Sequence, residues 1–235
     1  MILKDKNIIV TGGSLGIGKE TALNLLDKSA NVLVIGRSMN RLKATFGNLN
    51  VNLISFDIGD IKNLSINAEK CLKMLNNRVD VLINNAGVGV RKSIEDLEYQ
   101  DFIDVFNVNV FGLSLFTKQI VPVMKNQEYG TIINIGSTAS LKGYQNGSVY
   151  ASSKFAVRCL TQCWQAELRP FNIRVCQINP SEVTTAFGNS ERVERDDVHN
   201  KLTSKEISHA IISALEMDDR GFINELNVWA TNPFN

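Results

Sequence analysis

The chain has 235 residues, 44% hydrophobic and 21% charged, enough apolar material for one globular domain with a sizeable core. Its 25 basic and 24 acidic residues leave a net charge of +1 with no long run of either sign, which argues against nucleic acid or an anionic membrane as the main partner. No apolar run approaches the ~20 residues of a membrane span, and Met1-Ile2-Leu3-Lys4-Asp5-Lys6 lacks the apolar core of a signal peptide, so a cytoplasmic protein is expected.

Along the chain, short runs rich in β-branched residues alternate with stretches of helical periodicity. Asn7–Thr11 reads as a strand, followed by a glycine-rich turn and a helix through Lys19–Lys28. Asn31–Ile35 is the second strand, Arg41–Phe46 a short helix and Val51–Phe56 the third strand. Helical spacing returns over Ile61–Leu75, with Leu64, Ala68, Cys71, Leu72 and Leu75 on one face. Val79–Asn84 is a fourth strand, Tyr99–Met124 is largely helical up to and around Pro122, and Thr131–Ile135 is a fifth strand. Val149–Leu168 is a long helix ended by Arg169-Pro170, and Ile173–Ile178 is a sixth strand. Ser204–Leu215 is a helix whose best capping box is Thr203 with Glu206, and Leu226–Ala230 closes the series as a strand. Such alternation predicts βαβ units, a parallel sheet of about seven strands and helices on both faces. No repeat or low-complexity linker marks a domain boundary, so residues 1–235 are read as one domain.

Cys71, Cys159, Cys163 and Cys176 show no C-x-x-C spacing, and His199 and His209 stand far from them. No metal site is expected, and the cysteines read as small buried hydrophobes.

Between the first strand and first helix lies Thr11-Gly12-Gly13-Ser14-Leu15-Gly16-Ile17-Gly18. Glycines let the backbone turn tightly and approach a diphosphate, and the helix N-terminus supplies free N–H groups and the positive end of its dipole. The turn, with Ser14, Leu15 and Ile17 between its glycines, is a candidate dinucleotide seat. Enzymes that use NAD often place a carboxylate at the end of the second strand for the ribose 2′-OH. Here that strand ends Ile35-Gly36-Arg37-Ser38, with no acid. Arg37 can pair with a 2′-phosphate through two N–H donors, which favours NADP(H) and leaves NAD(H) as the alternative. The competing reading of Arg37 is a solvated surface arginine. Asp57, followed by Ile58, stands just past the third strand and can accept from an adenine amino group or serve its own turn.

Tyr150 and Lys154 are spaced i, i+4, which on a helix puts them on one face about 5–6 Å apart at Cβ. An ammonium near a phenol favours the phenolate and draws the phenol's pKa down from ~10 toward neutrality. A phenol tuned in this way exchanges a proton near neutral pH.

Several elements follow one another in order: the turn at 11–18, Asn84-Asn85-Ala86-Gly87, Asn109, Ser137, Tyr150-x-x-x-Lys154 and Asn179-Pro180. Together they resemble the short-chain dehydrogenase/reductase family over roughly residues 6–185, and Ser137 precedes Tyr150 by 13 positions, as in many members. The resemblance implies a Rossmann-type fold with a nicotinamide cofactor across the carboxyl ends of the strands. Tyr150 resembles the general acid/base. Lys154 would bind the nicotinamide ribose, Ser137 the substrate carbonyl oxygen, and Asn109 a water of a proton relay. Asn85, Ala86 and Gly87 would line the cofactor, and Pro180, Val183 and Thr185 would meet its carboxamide. Ser140 is the rival of Ser137, and Asn109 has a bland alternative as a helix cap. A homodimer or homotetramer packed through helices 102–122 and 149–168 is also implied.

The chain departs from the family pattern at three places. Gly136 replaces the first of a serine pair, Ser181 replaces a glycine after Pro180 and restricts the backbone there, and the usual Asp-Gly-Gly ending is absent. Residues 184–203, polar and charged apart chiefly from Phe187 and Val193, should form a substrate lid that orders on binding. The resulting expectation is an NADP(H)-dependent enzyme that interconverts a carbonyl and an alcohol. Its substrate class is open between a 3-oxoacyl thioester and a small carbonyl or 3-hydroxy acid. The non-enzymatic alternative is a dinucleotide sensor or scaffold on the same fold.

Overall fold

The computed structural model describes residues 1–187 and 193–234. Seven strands form one parallel sheet: β1 Asn7–Thr11, β2 Asn31–Gly36, β3 Asn52–Ser55, β4 Val81–Asn84, β5 Gly130–Ile135, β6 Ile173–Pro180 and β7 Glu225–Val228. Their order is β3-β2-β1-β4-β5-β6-β7, and every pairing is parallel. The order reverses between β1 and β4, and in open α/β sheets that switch point leaves a crevice at the carboxyl ends of the strands.

The helices are α1 Gly16–Asp27, α2 Met39–Phe46, α3 Leu64–Met74, α4 Tyr99–Phe106, α5 Leu113–Gln127, α6 Ser148–Leu168 and α7 Ser204–Glu216. Alternation along each strand splits the core in two. Ile8, Val10, Val32, Val34, Val81 and Ile83 pack with Ala22 and Leu25 of α1, Leu42 and Phe46 of α2, and Ile207 and Ile211 of α7. Ile9, Leu33, Leu82, Ile132 and Val175 pack on the other face with Ala68 and Cys71 of α3 and Phe116, Ile120 and Met124 of α5. Both faces of the sheet are therefore dry, which is why its strands read as continuous apolar runs rather than polar–apolar alternations.

Several boundaries differ from the expected ones. The 61–75 stretch opens as a 3₁₀ turn at Ile61–Asn63 before α3 begins, and β6 extends two residues further, to Pro180. The stretch expected as one helix over 99–124 is two α-helices joined by a π-helical segment, Asn107–Gly112, and α5 carries Pro122 in its interior through to Gln127. The Thr203–Glu206 capping box is formed as expected, with Thr203 N–H donating to Glu206 at 2.7 Å. Cys71 and Cys176 are buried, but Cys159 and Cys163 are exposed, which corrects the expectation for that pair. Their i, i+4 spacing puts them on the same outer face of α6 as the exposed Phe155, while Val157 and Thr161 turn inward.

Beside the switch point, β4 to β7 carry a row of buried polar side chains. Asn84 donates to Thr117 and Asn134, Asn134 to Thr161, and Thr161 to Gln177. Gln177 then donates to Asn179, which donates to Glu225 and Asn227. A closed polar network of this kind specifies one register for the strands whose ends carry the site.

Candidate active site

The glycine turn is shaped by what crosses beneath it. Gly12 has a φ of +65°, and a Cβ there would lie 2.7 Å from Ala86 Cα, so no other residue fits. Thr11 Oγ1 accepts the N–H groups of Asn85 and Ala86, both at 3.0 Å. Asn85 Nδ2 donates to the carbonyls of Thr11 and Gly12. The Asn85-Ala86 segment thus braces the turn as well as walling the crevice. Leu15 takes the N-cap position of α1, Gly16, Ile17 and Gly18 form its first turn, and Ser14 stands against Gly36 at the end of β2.

Arg37 and Asp57 meet at the outer end of the crevice, with Nη1 4.0 Å from Oδ2 and both side chains exposed. Asp57 also accepts the N–H of Gly59 at 2.8 Å, so the turn role weighed for it is filled, while Ile58 beneath it is buried.

Tyr150, Lys154 and Ser137 come together where α6 begins and β5 ends. Lys154 is buried and donates from Nζ to the carbonyl of Ile135 at 2.8 Å, with Nζ 5.8 Å from the centre of the Tyr150 ring. Burial pushes the Tyr150 phenol up to about 12; a hydrogen bond with Ser137 pulls the other way, and Tyr144 adds to the rise. Burial also draws the Lys154 ammonium down to about 8. This corrects the expectation that the lysine holds the phenol near neutrality. Lys154 turns its Nζ to the Ile135 carbonyl, and for both groups desolvation is the largest cause of the shift.

The two rival serines differ in burial. Ser140 is fully buried, and its Oγ accepts the N–H of Ser137. The Ser137 hydroxyl accepts from Ala139 at 3.1 Å and also meets Tyr150. Gly136 has its own reason: a Cβ there would lie 2.1 Å from Asn179 Oδ1 and 2.6 Å from Gln177 Nε2.

Asn109 sits in the π-helical segment, a distortion common at functional sites. Its amide accepts from Val88 N–H and donates to Val88 carbonyl, both at 2.9 Å, and to Ser153 Oγ at 3.0 Å. Ser153 in turn donates to the carbonyl of Tyr150. The side chain of Asn109 therefore ties the strand β4 extension to α6. Gly87 lies between, its would-be Cβ 3.4 Å from Asn109 Oδ1 and 3.7 Å from Lys154 Nζ.

Pro180 is the buried last residue of β6. Ser181 has no left-handed φ; its N–H donates to Val228 and its Oγ accepts from Ala230, so serine fits there without backbone strain. Val183 pairs with Leu202, and Thr185 Cβ would meet a Cβ on Gly16 at 3.2 Å, which brings the 183–185 segment to the glycine turn.

The expected lid has no regular secondary structure among its described residues, and Glu191 and Arg192 lie outside them. Two contacts here carried no motif. Glu194 accepts the N–H of Gly16 at 2.9 Å and a 3.1 Å bond from Lys19, and Arg195 donates to the carbonyls of Thr185 and Val183. Phe187 packs over Tyr150 with ring centres 5.4 Å apart. Among the described residues no group of three or more metal-ligating side chains exists, and no helix is long and apolar enough to cross a membrane.

The short chain dehydrogenase family profile matches residues 6–196. The chain belongs to that family. Among short-chain dehydrogenase/reductase relatives, it is 29% identical over 228 residues to the NADP-dependent 3-hydroxy acid dehydrogenase of Schizosaccharomyces pombe, covering 91% of this chain and 88% of the relative. It is 32% identical over 199 residues to a probable short-chain type dehydrogenase/reductase, VdlC, of Helicobacter pylori, covering 81% and 71%. In structure it is similar to an alcohol dehydrogenase of Thermococcus sibiricus complexed with 5-hydroxy-NADP, with a TM-score of 0.89, 25% identity and 97% of each chain covered. A closed serine dehydrogenase complexed with NADP+ superposes with a TM-score of 0.84, 26% identity and 94% of each chain.

Proposed function

We propose that the protein interconverts a small ketone or aldehyde and its alcohol using NADP(H), with Tyr150 as the group that exchanges the proton. The observation that carries this is the meeting of the Tyr150 and Ser137 hydroxyls beside a buried Lys154 at the carboxyl end of the sheet.

The crevice fits a dinucleotide. The N–H of Gly16 already holds one anion, the Glu194 carboxylate, where a diphosphate would sit. Gly12, Ser14, Leu15, Gly16, Ile17 and Gly18 would take the diphosphate end. Arg37, Asp57 and Ile58 would take the adenosine end, and Arg37, whose one ion pair among the described residues is a 4.0 Å contact with Asp57, would pair with a 2′-phosphate. Asn85, Ala86, Gly87, Lys154, Pro180, Val183 and Thr185 would line the nicotinamide end. The NADP named for the Schizosaccharomyces relative and the two solved structures supports the same choice of cofactor.

A nicotinamide, when bound, supplies a hydride to the carbonyl carbon or takes one from the alcohol carbon. As charge grows on the substrate oxygen, Ser137 and Tyr150 point hydroxyl protons at it. With its pKa near 12, Tyr150 is a neutral phenol at physiological pH, the form that gives a proton. An alkoxide is far more basic than a phenolate, so this transfer runs downhill without a lowered pKa. Lys154 keeps positive charge next to the phenolate left behind. Asn109 has its side chain committed to Val88 and Ser153, so its role would be to hold Tyr150 and Lys154 in place and to offer a water some other atom of the residue.

The chain would work as one domain, with residues 184–203 as its lid. Exposed Phe102, Phe111 and Phe155 on the α4–α6 helices support a homodimer or homotetramer.

NADPH oxidation against a panel of small ketones and aldehydes tests the reading. Turnover that falls by about 10²- to 10⁴-fold in Tyr150→Phe, with NADPH affinity kept, is the expected result. Tight NADPH binding with no turnover on any carbonyl would instead support a dinucleotide sensor.

A further inference from the structure

An open cleft of about 470 Å³ is lined by Arg91, Tyr144, Gln145 and Asn146. Two loops build it. The one after β4 passes Tyr150 at Gly89, where a Cβ would lie 3.0 Å from the tyrosine ring and 3.1 Å from Phe187, and reaches Arg91 two residues later. The one before α6 carries Tyr144. A backbone bond from Lys92 N–H to Asn146 carbonyl, 3.2 Å, ties the two loops together. Asn146 holds a left-handed φ of 63° to make that turn, a conformation asparagine tolerates better than most residues.

The Arg91 guanidinium lies over the Tyr144 ring at 5.4 Å. Among the described residues Arg91 has no ion pair, while the neighbouring Lys92 is neutralised by Asp101 at 2.9 Å. Stacking on a ring holds a guanidinium in one plane and leaves its N–H edge for a planar anion. Gly89, two residues before Arg91, packs against the Tyr150 ring, which puts this arginine's platform within reach of the reacting centre.

We propose that Arg91, held on Tyr144, binds the carboxylate of the substrate, so that the enzyme acts on short oxo acids and their hydroxy-acid products. This rests on the carbonyl-reductase reading and adds the substrate class to it. A single guanidinium in a small cleft matches a single negative charge on a short chain, with the carbonyl turned toward Tyr150 and Ser137. Chemistry at the carbonyl is unchanged: the carbon gains a hydride from NADPH, the oxygen gains a proton from Tyr150, and the carboxylate takes no part.

The test compares short 2-oxo and 3-oxo acids with their methyl esters as substrates for NADPH oxidation, in wild type, Arg91→Gln and Arg91→Lys. A charge-assisted pair predicts that wild type prefers acid to ester by about tenfold to a hundredfold in kcat/KM, mainly through KM. Arg91→Gln should lose that preference while keeping ester turnover, and Arg91→Lys should restore part of it. Ester turnover equal to acid turnover in wild type overturns the proposal and leaves the carbonyl-reductase reading standing. So does an equal loss on both substrates in Arg91→Gln. No turnover of acid, ester or any simple ketone overturns both.

Discussion

Glu194 Oε1 accepts the backbone N–H of Gly16 at 2.9 Å, so a carboxylate from beyond β6 sits against the N-terminus of α1. Burial works against the charge, but the Gly16 N–H and Lys19 outweigh it and hold the carboxyl below the usual range. It is therefore ionised at neutral pH, and under the proposed cofactor placement it competes with the diphosphate. Glu194→Gln is predicted to tighten NADPH binding about two- to fivefold, the usual worth of a charge at a helix N-terminus. Fluorescence titration with NADPH checks this, and weaker binding by the variant would remove the competition from the account.

Arg37 stands exposed at the end of β2, and among the described residues its one ion pair is the 4.0 Å contact to Asp57. Arg37→Ala should lower kcat/KM for NADPH by about tenfold and leave NADH nearly unchanged, since a pair to a charged phosphate is lost on one cofactor only. A wild-type preference for NADH would refute the assignment.

Lys154 is buried with its ammonium drawn down to about 8, so its charge costs stability at neutral pH. The unfolded chain holds that proton up to ~10.4, and a depressed lysine therefore penalises folding below about 8; the penalty fades as pH rises toward 10. Lys154→Met should gain about 3 kcal/mol at pH 7 from the removed penalty. It should give back about 1 for the bond to Ile135. Urea unfolding at pH 7 should show the variant more stable, with the gap to wild type closing by pH 10. Cys71 and Cys176, whose thiols burial pushes up to about 12, destabilise both proteins equally at high pH and drop out of the difference. A gap that widens with pH would contradict the burial argument.

Gly136→Ser would restore the serine pair common in the family, yet a Cβ there meets Asn179 Oδ1 at 2.1 Å and Gln177 Nε2 at 2.6 Å. The expected cost is about 1–3 kcal/mol from forced displacement of the polar row between β5 and β7. A urea midpoint equal to wild type would show that the row yields freely.

The alternation of strands and helices and the parallel sheet were readable from local pattern, because strand and helix periods are written in adjacent residues; the strand order was not. Gly12, Asn85, Ser137, Tyr150 and Lys154 were singled out as parts of one ordered set that resembles the family, and the fold brings them to one edge of the sheet. The direction of the Tyr150 pKa was not legible. It depends on how much water the folded site excludes, a property of distant segments closing together rather than of the i, i+4 spacing. The exposure of Cys159 and Cys163 was missed for a related reason: an apolar residue on a helix does not say whether the sheet lies on its side.

The sequence by itself determined the βαβ alternation, the glycine turn and the Tyr150–Lys154 pair, since each depends on short-range spacing and backbone sterics. Only the tertiary structure decided that Ser140 is buried while Ser137 is half-buried, that Glu194 reaches Gly16 across 178 positions, and that Arg91, with no ion pair among the described residues, lies over Tyr144. Those relations join residues from different strand ends, and nothing in local propensity encodes which loops meet when seven parallel strands bring their carboxyl ends to one edge.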